Sequence, residues 1–207
     1  MTTRIERHTP TKCVRLDVPH IHTATLLNRA AYPTWNQLLN RITTKSSSPF
    51  DPVEEGQLRL RCWIHDLVMQ PKAAQATLLL TGPECSGKRT FHEALGLLLP
   101  DKAILKYPPP TWELKRDEWK SMLKTAWLMV IEGHPERFVK LFGHQRCRNG
   151  RFLKWLLTNN RPVDEDLPNV QRFQVDLLAT TIPKTDLFRR LQDERDAFHS
   201  ALLQYVA

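Results

Sequence analysis

The chain has 207 residues, a net charge of +8 from 30 Lys and Arg against 22 Asp and Glu, and an apolar fraction of 41%. That length suits one α/β domain with an appendage, or two small domains, and the composition is that of a globular chain with an adequate core. No run of about 18 apolar residues is present, which excludes a helical membrane span. The polar first residues lack the apolar stretch of a secretory signal, so an intracellular location is expected. Cys13, Cys62, Cys85 and Cys147 stand apart without C-x-x-C spacing, which argues against both a zinc site and a disulfide framework. The excess of cations favours a polyanionic partner, nucleic acid first, because each phosphate contact gains from counterion release.

Residues 1–21 are polar and rich in His, Thr and Pro, and read as an arm. His20-Ile21-His22 has the spacing of a metal-binding pair in a rolling-circle nickase, but such a site needs a surrounding sheet and a tyrosine on a helix. Tyr32 instead directly precedes Pro33, and solvent-facing histidines are the plainer reading. Residues 23–42 are predicted helical with a break at Tyr32-Pro33, since Leu26, Leu27, Ala30, Ala31, Trp35, Leu38, Leu39 and Ile42 recur at three- and four-residue steps. Residues 45–52 have linker composition. They divide the chain into an N-terminal arm and helical segment (1–50), a helix region (51–75) and a main domain (76–207). The middle helix, expected over 52–69, carries Val53, Leu60, Trp63, Ile64, Leu67 and Val68.

The main domain opens on the apolar strand Leu78-Leu79-Leu80, which runs into Thr81-Gly82-Pro83-Glu84-Cys85-Ser86-Gly87-Lys88-Arg89-Thr90 and a segment that reads as helix to Leu99. This is the G-x-x-x-x-G-K pattern of a phosphate-binding P-loop in its strand–loop–helix setting. The glycines let backbone N–H groups converge, the helix N-terminus adds partial positive charge, and the lysine reaches the terminal phosphates. The hydroxyl that should follow the lysine and hold Mg²⁺ is replaced by Arg89, with Thr90 one place late.

Beyond the loop, a strand is predicted over 102–107, stopped by Pro108-Pro109-Pro110, and a helix over 112–124. Residues 125–131 form an apolar run suited to a strand buried on both faces, ending at Glu132. Residues 136–151 are basic and turn-rich. Residues 152–157 are another buried strand, ending Thr158-Asn159-Asn160, and a last strand over 172–178 precedes an amphipathic helix over 184–205. Alternating strands and helices define an α/β, P-loop NTPase fold with a mainly parallel sheet flanked by helices and preceded by a small helical region. In such a sheet ligands bind at the carboxyl ends of the strands. The loop, Glu132, the Thr158–Asn160 turn and the loop leading to Arg172 are expected to meet there, and phosphoryl transfer calls for such a set.

The order of these motifs resembles the superfamily 3 helicases of small DNA viruses and mobile elements, nearest in pattern to the papillomavirus and polyomavirus replicative helicases. The resemblance covers residues 63–203. Gly82-Pro83-Glu84-Cys85-Ser86-Gly87-Lys88 matches the family's G-P-x-x-[ST]-G-K, and Leu156-Leu157-Thr158-Asn159-Asn160 its sensor strand. Val170-Gln171-Arg172-Phe173-Gln174-Val175 is similar to the strand that carries its trans-acting arginine finger. The resemblance implies an AAA+-type ATPase that assembles as a hexamer, hydrolyses ATP with Mg²⁺ between subunits and moves along DNA, single-stranded DNA above all. It implies catalytic roles for Lys88, Glu132, Asn160 and Arg172, nucleotide contacts from Gly82 to Thr90, and Mg²⁺ at Glu132 and Thr90. It also implies a channel hairpin over 137–151, where Lys140, His144, Arg146, Arg148 and Arg151 can track a nucleic-acid backbone without reading bases. A host nucleus is the implied location for a virus of eukaryotes, and the cytoplasm otherwise.

Three departures bear on activity: Arg89 in the hydroxyl position, Gly133 where a second carboxylate should follow Glu132, and a hairpin segment shorter than the family's. The first two suggest weakened or lost hydrolysis. They keep open a degenerate helicase-like module that binds DNA or joins another replication protein as an accessory or inhibitor. A nucleotide kinase is a further alternative, because threonine two places after lysine also fits Gly87-Lys88-Arg89-Thr90. Against it, such kinases begin with the loop, whereas here a long stretch precedes it.

Overall fold

Strands Thr77–Thr81 (β2), Leu128–Glu132 (β4) and Lys154–Asn159 (β5) carry apolar residues at consecutive positions and are buried along both faces, as central parallel strands must be. They occur in a computed structural model that describes residues 30–43, 53–70, 73–107, 116–133, 153–161, 169–176 and 182–204. The other elements are helix α1 (Pro33–Leu39), edge strand β1 (Ile42–Thr43), α2 (Val53–Met69), α3 (Lys88–Leu95), β3 (Ile104–Tyr107), α4 (Arg116–Thr125), β6 (Val170–Val175), α5 (Lys184–Asp193) and α6 (Arg195–Leu203). The sheet runs β1-β6-β2-β5-β4-β3. Strands β2 to β6 are parallel, and β1 pairs antiparallel with β6 at the rim.

This order decides which strand ends meet. The chain leaves β2, crosses to the far edge at β3, returns through β4 and β5, and then passes over β2 to β6. Register places Thr81 opposite both Asn159 and Gln174, and Glu132 opposite Thr158. The ends of β2, β4 and β5 therefore reach one edge side by side, with β5 between the other two.

Alternation along the strands builds two layers. Leu78, Leu80, Leu128, Val130, Leu156, Phe173 and Val175 join one cluster with Trp35 and Leu39 of α1, Leu60 and Ile64 of α2, Phe91 and Leu95 of α3, and Leu191, Phe198 and Leu202 of α5 and α6. Leu79, Leu105, Met129, Ile131, Trp155 and Leu157 form the second, against which Leu123 of α4 packs. Helices α1 and α2 thus share the core of the sheet. Among the described residues no helix is long and apolar enough to cross a membrane.

Several boundaries differ from the sequence expectation. The helix expected over 23–42 is described from Pro33, and it stops at Leu39 because Ile42 leaves to pair with Val175; residues 23–29 lie outside the described set. Helix α3 ends at Leu95, and its tail tightens into three-residue turns, with Gly96 N–H donating to Glu93 O (3.0 Å) and Leu97 N–H to Ala94 O (2.9 Å). The C-terminal helix divides at Glu194, whose carboxylate caps α1 instead. It accepts from the backbone N–H groups of Thr34 (2.8 Å) and Trp35 (3.3 Å) and from the Thr34 hydroxyl (2.5 Å). A carboxylate at a helix N-terminus satisfies orphan donors and complements the dipole. Pro33 occupies the first turn, where a missing N–H costs nothing.

One buried charge stands apart. Lys154, the first residue of β5, is 1% exposed, and its Nζ donates to Gln70 O (2.9 Å) just past the end of α2. Burial lowers its pKa from the ordinary lysine value to about 8, against a smaller pull upward from Asp66. Below pH 8 the lysine is protonated in both folded and unfolded chains. Between about 8 and 10.5 the unfolded chain holds more protons, so stability rises with pH across that window. Going from pH 8 to pH 10 crosses only part of that window, so the expected gain is about 2 kcal/mol. Urea unfolding at pH 8 and pH 10 checks this, with Lys154→Met as the control; an equal rise in the variant assigns the effect to another group.

Candidate functional site

The loop after β2 owes its shape to three residues. Gly82 lies against β6, where an added Cβ would stand 2.3 Å from Val175 O, a backbone atom that cannot move aside. Its N–H donates to Asn159 O (3.2 Å), tying the loop to β5. Cys85 and Gly87 both adopt positive φ, +59° and +93°, and Gly87 is the N-cap of α3. Right- and left-handed residues in succession turn backbone N–H groups toward one point, a concavity built for anions. Cys85 holds a conformation that glycine adopts at lower cost.

Lys88 begins α3 and folds back over this concavity. Its buried ammonium donates to Gly82 O (2.8 Å), Pro83 O (2.7 Å) and Ser86 Oγ (3.1 Å). Burial pulls its pKa below the ordinary lysine value, opposed by Cys85 and Glu84. A desolvated cation among converging amides suits a phosphate oxygen, for which it would exchange its carbonyl partners.

Glu132, at the end of β4, is 42% exposed and meets a residue that the sequence reading passed over. His92 Nε2 lies 2.7 Å from Glu132 Oε1, at hydrogen-bond distance although out of line for a well-formed bond, and the imidazole is fully buried. Burial, and next the nearby Lys106, push the His92 pKa below its ordinary value, against the pull of Glu132 and Glu93. Burial thus favours the neutral imidazole, which lies against the carboxylate without cancelling its charge. A signal for this was present: His92 is four residues after Lys88, on the same helix face.

Gly133 follows at φ +74° with open space around it, and its N–H donates to Thr158 O (2.8 Å). An aspartate or glutamate there would fit sterically but would be strained in that backbone. The chain thus carries one carboxylate at this strand end, followed by a glycine in the left-handed region. Arg89 is exposed and reaches along α3 to Glu93 Oε1 (3.2 Å), which also receives Lys184 on Oε2 (2.6 Å) and lies 3.8 Å from Lys106. Burial disfavours the Glu93 carboxylate, but these three cations outweigh it and hold its pKa below the usual range. Thr90 is half-buried on the first turn of α3.

Asn159 and Asn160 have different settings. Asn159 ends β5 opposite Thr81, and its Nδ2 donates to Arg161 O (3.0 Å), whereas Asn160 lies one residue beyond the strand and is exposed. Arg172 is the third residue of β6, opposite Leu79, so it stands mid-strand and exposed rather than at the carboxyl edge beside Lys88. The structure brings together the loop, Lys88, Glu132 and the end of β5, and leaves Arg172 apart. Lys140, His144, Arg146, Arg148 and Arg151 lie outside the described residues.

The concavity fits a phosphate chain. For Mg²⁺ the fit is poor: Arg89 turns away to Glu93, and Glu132 is shared with His92.

A parallel sheet flanked by helices, with a glycine-rich loop at the end of a central strand, is a P-loop NTPase-like fold. No protein-family model matches the chain, and no curated protein matches it. Among the solved structures that share its fold are three apo structures of the C-terminal region of NrS-1. Their sequence identities are 12%, 9% and 11%, with TM-scores of 0.56, 0.55 and 0.54. They cover 82%, 84% and 82% of this chain but 44%, 45% and 44% of their own length, so the chain spans less than half of each. At those identities the likeness is one of fold.

Proposed function

We propose that the chain is an ATP-binding, DNA-binding replication protein of a virus or mobile element, built like a superfamily 3 helicase, whose metal chemistry is weakened. The observation that carries this reading is the Gly82–Lys88 loop, a cationic nest at the edge where three central parallel strands end. The insertion of β5 between the loop strand and β4 supports it, because that order sets the Asn159–Asn160 turn between Lys88 and Glu132. The shared fold of the NrS-1 region and the net charge of +8 support the replication and DNA-binding parts.

In this reading Lys88 and the loop amides hold the phosphates of a nucleoside triphosphate, which when bound supplies the scissile phosphoanhydride. Glu132, steadied by His92, orients water or accepts its proton, and Asn160 contacts the terminal phosphate. Arg172, exposed on β6, serves a neighbouring subunit of a homo-oligomeric ring. The positions of Arg89 and Gly133 favour slow turnover, and with it an accessory module associated with another replication protein over a processive motor.

Calorimetry with ATP, turnover with and without single-stranded DNA, and particle mass test the proposal together. ATP binding is expected, with salt-sensitive DNA binding and slow turnover. Neutralising Arg146 and Arg148 should weaken DNA binding evenly across sequences and flatten the salt slope by about 1 per contact. DNA-stimulated turnover in a hexamer would restore the full motor. Absence of nucleotide binding would remove the reading.

A further inference from the structure

The phosphate chain of a nucleoside triphosphate carries several negative charges, against which the loop sets one full cation, Lys88, and the partial charge of the α3 N-terminus. In P-loop enzymes a divalent ion makes up the difference, held by the hydroxyl of the residue after the lysine. Here that residue is Arg89, and the oxygens around it are committed. Ser86 Oγ accepts from Lys88 (3.1 Å), and Glu132 Oε1 lies 2.7 Å from His92 Nε2. A guanidinium offers donors and no acceptor, so it repels a cation where a hydroxyl would ligate one.

Arg89 stands on the first turn of α3 with its side chain 69% exposed, and its Nε donates to Glu93 Oε1 (3.2 Å) four residues along the helix. Glu93 does not depend on that bond. Its Oε2 receives Lys184 Nζ of α5 at 2.6 Å, and Lys106 Nζ of β3 lies 3.8 Å from Oε1, so three cations share one carboxylate. Withdrawing Arg89 leaves the carboxylate paired, and an exposed pair of this spacing is weak to begin with. A phosphate accepts from a guanidinium through two parallel charge-assisted bonds, a stronger contact than the one given up. Direction favours the exchange as well. The Cα–Cβ bond of a helical residue tilts toward the helix N-terminus, which for Arg89 is toward the loop. We propose that Arg89 leaves Glu93 when nucleotide binds and pairs with the phosphate chain in the place of the divalent ion, so that the site holds a metal-free triphosphate; this rests on the phosphate-binding reading above. The surplus of cations on Glu93 is what lets Arg89 go.

Calorimetry of the full chain with ATP, once in EDTA and once in magnesium chloride, tests this. Wild type is expected to bind at least as tightly in EDTA as with Mg²⁺. Arg89→Ala should lose about tenfold in EDTA, the loss of a charge-assisted contact, and Mg²⁺, no longer repelled, should return part of it. Arg89→Lys keeps the charge without the planar fork, so its metal-free affinity should fall between those of wild type and Arg89→Ala. Folding is spared because Arg89 is exposed and its pair with Glu93 lies at the surface. Wild-type binding tighter by about tenfold or more with Mg²⁺ than in EDTA, or a metal-free affinity unchanged in Arg89→Ala, overturns the replacement while the phosphate site stands. Failure of wild type to bind ATP in either buffer overturns both.

Discussion

Lys88→Ala is expected to lower ATP affinity by at least a hundredfold and to leave the chain folded. Charge-assisted hydrogen bonds to phosphate contribute about 1.5–3 kcal/mol each, and the ammonium is positioned to make more than one. Losing two such bonds corresponds to a factor of about a hundred or more. The loss is specific because two of the three present partners of Lys88 are replaceable: the Pro83 carbonyl belongs to an exposed residue and that of Gly82 to a half-buried one, so water can serve both, and only the buried Ser86 hydroxyl loses a bond. The stability change is therefore expected near 1 kcal/mol or less. Calorimetric titration with ATP, read beside circular dichroism of the same sample, separates the two effects. An affinity within a few-fold of wild type removes the loop from nucleotide binding and takes the proposed function with it.

The parts of this site that rest on local chemistry were readable from the residues. Strand Leu78–Leu80, its terminating glycine and the following Gly87-Lys88 announce the loop, because each residue type has a backbone reason to be there. The buried strands ending at Glu132 and Asn159 were found for the same kind of reason, a continuous apolar run too short for a helix. What escaped depends on strand order, which no local pattern encodes. That β5 lies between β2 and β4 is set by long crossovers. This order leaves Arg172 mid-strand on β6, away from the edge where the loop, Glu132 and the Thr158–Asn160 turn meet. His92 escaped for a different reason. A histidine in an amphipathic helix ordinarily faces solvent, and only the placement of β4 under α3 buries it against Glu132. Lys154 was hidden inside its own strand, since a lysine flanked by Trp155 and Leu156 reads as a rim residue until α2 is known to end above it. The division of the C-terminal helix at Glu194 likewise has its cause in a segment 160 residues earlier, the uncapped start of α1.

Trp35→Ala is expected to cost about 4 kcal/mol and to lower the melting temperature by roughly 10 °C, with unfolding still a single transition. Trp35 is fully buried, and it stacks on Phe198 of α6 with centroids 4.5 Å apart and planes 7° from parallel. Its indole N–H donates to Leu191 O (2.9 Å) at the end of α5. Truncation opens a cavity, forfeits the stack and strips a buried carbonyl of its donor, and these three costs act together. Trp35→Phe keeps a ring against Phe198 and loses the N–H and part of the volume, so about 1–2 kcal/mol is expected. The form of the transition matters as much as its midpoint. Trp35 sits in one apolar cluster with α2, α3 and the strands that carry Gly82 and Glu132, so its loss should be felt at the loop and not only in α1. A small early transition that leaves the main midpoint in place would instead make the region before residue 51 an independent unit. A single shifted transition, with ATP affinity preserved below it, places α1 and the loop on one cooperative body.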